Sequence, residues 1–260
     1  MLDSKMEGEV HMAAELIATT ATKKVFHDGE KAIKVFNAEF PKAEVLNEAL
    51  ISARVEEVGG INVPRVLEVG VFDNQWSITF DFIEGKTLQQ LMDENPEKLP
   101  EYMEQMVNLH LNVMSKHCPH LNKLKDKISK QIQDIEELGD VTRYDMRTQL
   151  DSMPKHTKLC HGDFNPSNII VKNDGTMYVL DWVHATQGNA SADVARTYLL
   201  FCLQDQNKAD MYMNLFCKKT GTAKKYVQSW LPIVAAAQLS KKRPEEAELL
   251  NKWAGVCDYQ

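Results

Sequence analysis

The residues best suited to chemistry lie between Leu159 and Trp182, in LCHGDFNPSNIIVKNDGTMYVLDW. Its second half is two short apolar runs around Asn173-Asp174-Gly175, and an Asp-Gly pair in that setting is a strong hairpin signal. With Asp174 and Gly175 as the two loop residues, Asn173 pairs with Thr176, and the register runs back until Asn168 faces Asp181. Residues opposed on one face of an antiparallel pair have Cβ atoms roughly 5 Å apart. An amide oxygen and a carboxylate so placed suit a hard cation such as Mg²⁺, which takes oxygen ligands and keeps waters and phosphates in its shell. A loop one residue longer breaks this register, so the pairing depends on the turn.

Upstream of Asn168, at the spacing Asp-x4-Asn, stands Asp163 within His161-Gly162-Asp163. That spacing, followed by a hairpin ending in Asp, is the layout of a kinase catalytic loop and its metal-binding Asp. On its own Asp-x4-Asn reads as a polar turn; His161-Gly162 before it and Leu180-Asp181-Trp182 after it change that. HGDFNPSN followed by LDW resembles the aminoglycoside phosphotransferase family, which includes choline-kinase-like and other small-molecule kinases. The resemblance covers nearly the whole chain, is strongest from about 158 to 200, and is weakest before residue 25.

The resemblance implies an α+β, kinase-like fold of two lobes. Residues 1–84 would form a nucleotide-binding lobe with a small antiparallel sheet and one main helix. Residues 85–260 would form a mainly helical lobe for catalysis and acceptor binding. It further implies ATP as donor, with GTP as the alternative, and Mg²⁺ held by Asn168 and Asp181. Asp163 would be the catalytic base, His161 a hydrogen-bonding residue of the loop rather than a base, and Asp193 a brace for the loop's backbone. Locally, Asp193 also fits an ordinary acidic residue in the first turn of a helix.

The elements that must hold these residues follow from the pattern. Residues 10–36 read as strands: VHMAAELI, then KKVF and KAIKVF joined through His27-Asp28-Gly29. No glycine occurs in Thr19-Thr20-Ala21-Thr22, so a phosphate cover there must use backbone N–H groups and hydroxyls. Lys34 sits in a VAIK-like position, where the resemblance gives it the α- and β-phosphates. A helix over 42–57 carries Val45, Leu46, Ala49, Leu50 and Ala53 as its apolar stripe. Glu48 on that helix is the expected partner of Lys34, with Glu44 as the alternative. Strands follow at 66–72 and 76–83. The run from Ile78 to Gly85 at the end of the second resembles the family's inter-lobe hinge. The resemblance implies that backbone around Asp81 and Ile83 meets adenine with Phe80 behind the base, though Phe80 and Phe82 also fit plain core residues. Thr87 is placed to cap a short helix.

From 97 to 157 the pattern is helical, with Met103, Met106, Val107, Leu109, Leu111 and Met114 on the apolar side of the first helix. Further helices fit 121–138 and 142–152, and the charge run at 123–137 reads as a solvated face. A helix opens near Asp193, and three more fit 207–218, 222–239 and 245–256, with Pro244 suited to a first turn.

Composition sets the outer bounds. The chain has 260 residues, 43% hydrophobic and 26% charged, with net charge −7 and pI near 5.7. This is an ordinary globular balance that lacks the basic face of a nucleic-acid binder. The five cysteines show no metal spacing, and with no secretory leader or apolar run of membrane-spanning length the expectation is a cytoplasmic protein, a monomer or weak dimer. The resemblance implies a small-molecule acceptor bearing a hydroxyl, an aminoglycoside-type antibiotic or a metabolic alcohol or amino alcohol, and net acidity is compatible with a cationic one. Asp205, Asp210, Glu245, Glu246 and Glu248 could meet amines, though solvated helix surface also accounts for them. Two other classes fit less well: a protein kinase, which needs an Ala-Pro-Glu-type segment that 182–192 lacks, and a non-catalytic nucleotide-binding protein, which would show no turnover.

Overall fold

The computed structural model describes residues 14–135 and 139–255. Part of the expected first strand, residues 10–13, lies outside that span. The observed strand β1 (Glu15–Thr19) pairs antiparallel with β2 (Lys23–Asp28), and β2 with β3 (Lys31–Phe36). The β2–β3 turn is Gly29-Glu30, one residue later than the Asp-Gly expectation, because Asp28 still pairs with Lys31. Gly29 at φ 60 takes the first central position, which is where a two-residue II′ hairpin turn wants glycine.

Helix α1 (Lys42–Glu56) follows, and then β4 (Val66–Phe72) and β5 (Gln75–Asp81). Asp73 and Asn74, both at positive φ, close the β4–β5 hairpin as the backbone of a type I′ turn requires. The sheet order is β1-β2-β3-β5-β4. The apolar stripe expected on α1 is corrected: Leu46 and Leu50 are 45% and 48% exposed, whereas Val45, Glu48, Ala49, Ile51, Ser52 and Val55 are buried. The buried face contains a glutamate and a serine, so hydrophobicity alone rotates the helix the wrong way. Val45 and Ala49 join Phe36 and Ile78 in a small core under the sheet, while Ile51 and Val55 belong to the large core of the helical part. One helix thereby ties the two cores together.

Beyond the sheet come β6 (Lys86–Thr87), α2 (Leu88–Glu94), α3 (Leu99–Ser115), α4 (Leu124–Gln133) and α5 (Asp140–Ser152). Thr87 caps α2 as expected, in a reciprocal capping box with Gln90. On α3, Leu109 and Leu111 are only half-buried, and His110 and Val113 take the core positions instead. The next segment holds β7 (Lys158–Cys160), β8 (Ile169–Val171), β9 (Met177–Val179) and β10 (Thr186–Gly188). Strands β8 and β9 form a three-stranded sheet with β6, and β10 pairs with β7.

The chain then runs through α6 (Ala190–Cys202), α7 (Gln206–Thr220), α8 (Lys224–Gln228), α9 (Leu231–Leu239) and α10 (Pro244–Ala254). The single helix expected over 222–239 is two. Pro232 lacks an N–H and its ring opposes the carbonyl four residues back, so the chain restarts there with proline in the first turn of α9. Pro244 opens α10 as expected. Among the described residues no helix is long and apolar enough to cross a membrane.

Candidate active site

The loop between β7 and β8 carries Asp163, and its shape is fixed from below. Asp193, buried in the first turn of α6, accepts from the His161 N–H at 2.7 Å with one oxygen and from the Gly162 N–H at 2.8 Å with the other. His110 of α3 adds its Nε2 at 3.0 Å and stacks on Phe164. Burial alone would raise the Asp193 carboxyl, but hydrogen bonds from His110 and Gly162 hold it below its ordinary range. Asp193 is thus bonded to the loop's backbone, a closer engagement than the helix dipole alone gives.

His161 is fully buried. Its Nδ1 accepts the Asp163 N–H at 3.1 Å, which leaves Nε2 protonated to donate to the Leu180 carbonyl at 2.9 Å. Burial lowers its pKa, in keeping with a neutral ring that ties the loop to the end of β9. Gly162 stands at φ 78, and a Cβ there would meet the His184 carbonyl oxygen at 2.5 Å. Only glycine fits this turn.

The Asp163 carboxylate is shared among three donors. Its Oδ2 takes the Asn165 and Asn168 amides at 3.3 and 3.2 Å, and Oδ1 lies 3.4 Å from the Arg196 guanidinium. Burial would raise this carboxyl, but the charges of Arg196 and Lys241 keep it lowered, so it is ionised at neutral pH.

The register expected for the hairpin is corrected. Ile169 pairs with Val179 and Val171 with Met177, so the loop is the three residues Asn173-Asp174-Gly175. The Gly175 N–H closes a turn on the Lys172 carbonyl, and Gly175 sits at φ 83. A turn followed by a left-handed residue is the usual three-residue hairpin, and here it is chosen over the two-residue form. Asn168 consequently lies opposite Leu180, whose N–H it accepts at 2.8 Å, and not opposite Asp181. Asp181 has left the strand and is itself left-handed, at φ 57 and ψ 62. Both residues nevertheless line one cavity of about 310 Å³.

Across that cavity Lys34 Nζ stands 2.5 Å from Glu48 and 3.0 Å from Asp181. Glu48 is buried and Glu44 exposed, so Glu48 is the partner. Burial would lower the Lys34 pKa, but Asp181 and Glu48 together raise it well above the ordinary range. Lys23 adds a second cation at 3.4 Å from Asp181. Burial would raise the Asp181 carboxyl, and Lys34 and Lys23 instead hold it far below its usual value.

Phe80, Asp81 and Ile83 line the same cavity. The Asp81 side chain is taken by Arg65, at 2.7 and 2.9 Å, and the Phe82 N–H by the Glu30 carbonyl at 2.8 Å. The Ile83 N–H has no partner among the described residues. For a cation, the site offers the Asp181 carboxylate and the Asn168 amide oxygen, which accepts no hydrogen bond from the described residues. Among the described residues no group of three or more His, Cys, Asp or Glu could hold a metal alone. Two oxygen donors suit Mg²⁺, which draws its remaining ligands from phosphates and water.

The sequence reading did not single out Lys23, His110, Lys127, Arg196 or Lys241. Each comes from an element remote in the chain from the loop it serves. The adjacency of Asp193 and Arg196, three apart on one helix, was the only local signal available.

Comparison with known proteins agrees with this architecture. The chain superposes on a thermostable mutant of aminoglycoside phosphotransferase APH(4)-Ia, in ternary complex with AMP-PNP and hygromycin B, with TM-score 0.70 and 16% identity, covering 95% of this chain and 92% of the other. A choline/ethanolamine kinase family protein from Mesorhizobium loti gives 0.61 and 16%, covering 94% and 86%. Aminoglycoside-3'-phosphotransferase of type VIII gives 0.65 and 14%, covering 86% and 93%. At such identities these likenesses show the kinase-like fold. A search of curated protein sequences finds no match. The model of the phosphotransferase enzyme family matches residues 21–224, most of the chain including the loop and hairpin described above. The chain therefore belongs to the phosphotransferase enzyme family and is an enzyme of kinase-like fold.

Proposed function

We propose that this enzyme transfers the γ-phosphoryl group of ATP, with GTP as the alternative donor, to a hydroxyl of a small molecule, with Mg²⁺ as cofactor. The observation that carries the reading is the convergence of Asp163, Asn168 and Asp181 on a cleft whose other wall holds the Lys34–Glu48 pair. Residues up to 84 form the nucleotide lobe and those from 85 the acceptor lobe. The Ile83 N–H and the backbone of Asp81 take the adenine edge, and Phe80 packs behind it. Lys34, kept charged and aimed by Glu48, holds the phosphates. Asn168 and Asp181 hold the Mg²⁺, which offsets charge on the β- and γ-phosphates when bound.

Asp163 orients the acceptor hydroxyl and takes its proton. The loop around it is rigid, held through Asp193 and His161, and rigidity is what positioning requires. Phosphoryl transfer passes through a loose transition state, so placement and charge neutralisation supply most of the catalysis. Complexes of structural neighbours with AMP-PNP or ADP support the nucleotide assignment. Purified enzyme with γ-labelled ATP, Mg²⁺ and a panel of hydroxylated small molecules, with generic protein substrates alongside, tests the reading. Label should appear on a small molecule. Label on protein alone, or no turnover of any kind, overturns it.

A further inference from the structure

We propose that the pocket beside the Asp163 loop receives an anionic group of the acceptor, a carboxylate or a phosphate; this deepens the phosphotransferase reading and rests on it. The pocket lies between α4, α6 and α9, next to the open cleft that contains Asp163 and Asp181. Its volume is about 40 Å³, room for roughly three water-sized groups and so for one compact anion. It shares no lining residue with the nucleotide cavity.

Three cations line it from three different elements. Lys127 of α4 donates to the His184 carbonyl at 3.0 Å, and Arg196 of α6 donates to the Gly162 carbonyl and approaches Asp163. Lys241, just past α9, makes no side-chain hydrogen bond or ion pair among the described residues. It lines both this pocket and the open cleft, and so stands between them. The carboxylates at hand are already engaged. Both oxygens of Asp193 are taken by loop N–H groups and His110, and Asp163 is divided among Asn165, Asn168 and Arg196.

Arg196 is paired with Asp163, whereas Lys127 and Lys241 form no ion pair among the described residues. Burial, and then the neighbouring cations led by Arg196, push both Lys127 and Lys241 down to about 8. His184 is neutral in the same surroundings, pushed down to about 3 by burial and by Lys127 and Lys241. Like charges held together and desolvated are unfavourable until an anion pairs them, which is the arrangement of a ligand site. None of the five acidic residues that could have met an amine lines this pocket; Glu245 and Glu246 line the open cleft, and three of the five are engaged elsewhere. Asp205 caps α7, Asp210 faces Lys224 at 3.7 Å, and Glu246 is bound by Gln238 and Arg243. The sign of the site is therefore opposite to what net charge suggested.

Two measurements test this. With the nucleotide side saturated by a non-hydrolysable ATP analogue and Mg²⁺, calorimetry follows sulfate binding to wild type, Lys241→Gln and Lys127→Met, with circular dichroism confirming the fold. In parallel, phosphorylation is assayed over matched acceptors: hydroxy acids and their amides, sugar phosphates and the free sugars, and amino alcohols. The expected result is sulfate binding weakened at least 10-fold in both variants, turnover of an anionic member of a pair over its neutral partner, and a KM for it raised by Lys241→Gln with kcat little changed. Carboxylate and phosphate arms tell the two anions apart. Preferred turnover of neutral or cationic acceptors, or sulfate binding unaffected by either variant, overturns the proposal while leaving the phosphotransferase reading standing. A fall in kcat at constant KM overturns it too, because Lys241 would then act on the transferred group. Sulfate binding without turnover of any acceptor removes the phosphotransferase reading and, with it, the assignment of the pocket to an acceptor.

Discussion

With Asp163 as the proposed base, its surroundings make a sharp expectation. Asp163→Asn should lower kcat by about 10²-fold or more, the usual range for a positioned acid–base group, while nucleotide affinity stays near wild type. The nucleotide cavity does not include Asp163 among its walls, so the two effects separate. Single-turnover kinetics with direct measurement of nucleotide binding checks this; a variant retaining most of its kcat removes Asp163 as the base. At this scale the sequence was legible where chemistry is written contiguously. Asp163, Asn168 and Asp181 sit within one short stretch, and Lys34 and Glu48 lie on adjacent elements. Arg196, Lys127 and Lys241 were not legible, because lysines and arginines on helices are common and only the packing of α4, α6 and α9 aims these three at one point. Asp81 illustrates the reverse: its place near the end of the second strand of the β4–β5 pair was legible, but its pairing with the Arg65 side chain was not.

The hairpin and the loop before it show why elements were read more securely than registers. Both strands and the turn were legible, yet one extra loop residue moved the pairing, and no local rule decides firmly between two- and three-residue loops around Asp-Gly. What restores the site is the backbone of Asp181, whose left-handed conformation takes it out of the ladder and toward Lys34. The metal prediction then rests on the chemistry of the ligands. Asp181→Ala and Asn168→Ala should each raise the Mg²⁺ requirement, Asp181→Ala more, since a carboxylate carries charge that an amide lacks. Activity titrated against Mg²⁺ at fixed nucleotide decides it, and unchanged requirements in both variants sink the assignment. The loop makes a second prediction. Gly162→Ala forces a positive-φ residue with a Cβ against the His184 carbonyl, and should cost about 2 kcal/mol of stability in denaturant unfolding. An unfolding midpoint equal to wild type would mean that the loop relaxes freely and is not held as described.

At the scale of the whole molecule, α1 joins a small core under the sheet to the large core of the helices, and the cleft between them has two electrostatically different sides. The two-lobed organisation was legible because strand patterns dominate up to about residue 83 and helical ones after it, apart from the strands around the 159–182 stretch. The charge of the acceptor side was not, because a net charge of −7 says nothing of where three cations are collected. That side should titrate within the working range of the enzyme. Lys241 faces Arg196, Asp163, Arg243 and Glu246, and Lys127 faces Arg196, Lys241, Asp193 and Asp163; both lysines are held near 8. Below that value they are ammonium groups that pair with an anion, and as pH rises through it they lose the charge and the anion loses its partner. The KM for an anionic acceptor should therefore rise between pH 7 and 9, by about 10-fold per unit well above the transition if one ammonium is required. At saturating acceptor the bound anion favours the charged lysines, so kcat should be nearly flat over the same range. Lys241→Gln should raise the KM throughout and move the remaining rise to higher pH, since Lys127 still titrates but has lost a neighbouring cation that held it down. Nucleotide affinity measured alongside separates this from general damage to the cleft. A KM independent of pH in wild type, or a profile that Lys241→Gln leaves unchanged, would show that these lysines do not face the acceptor.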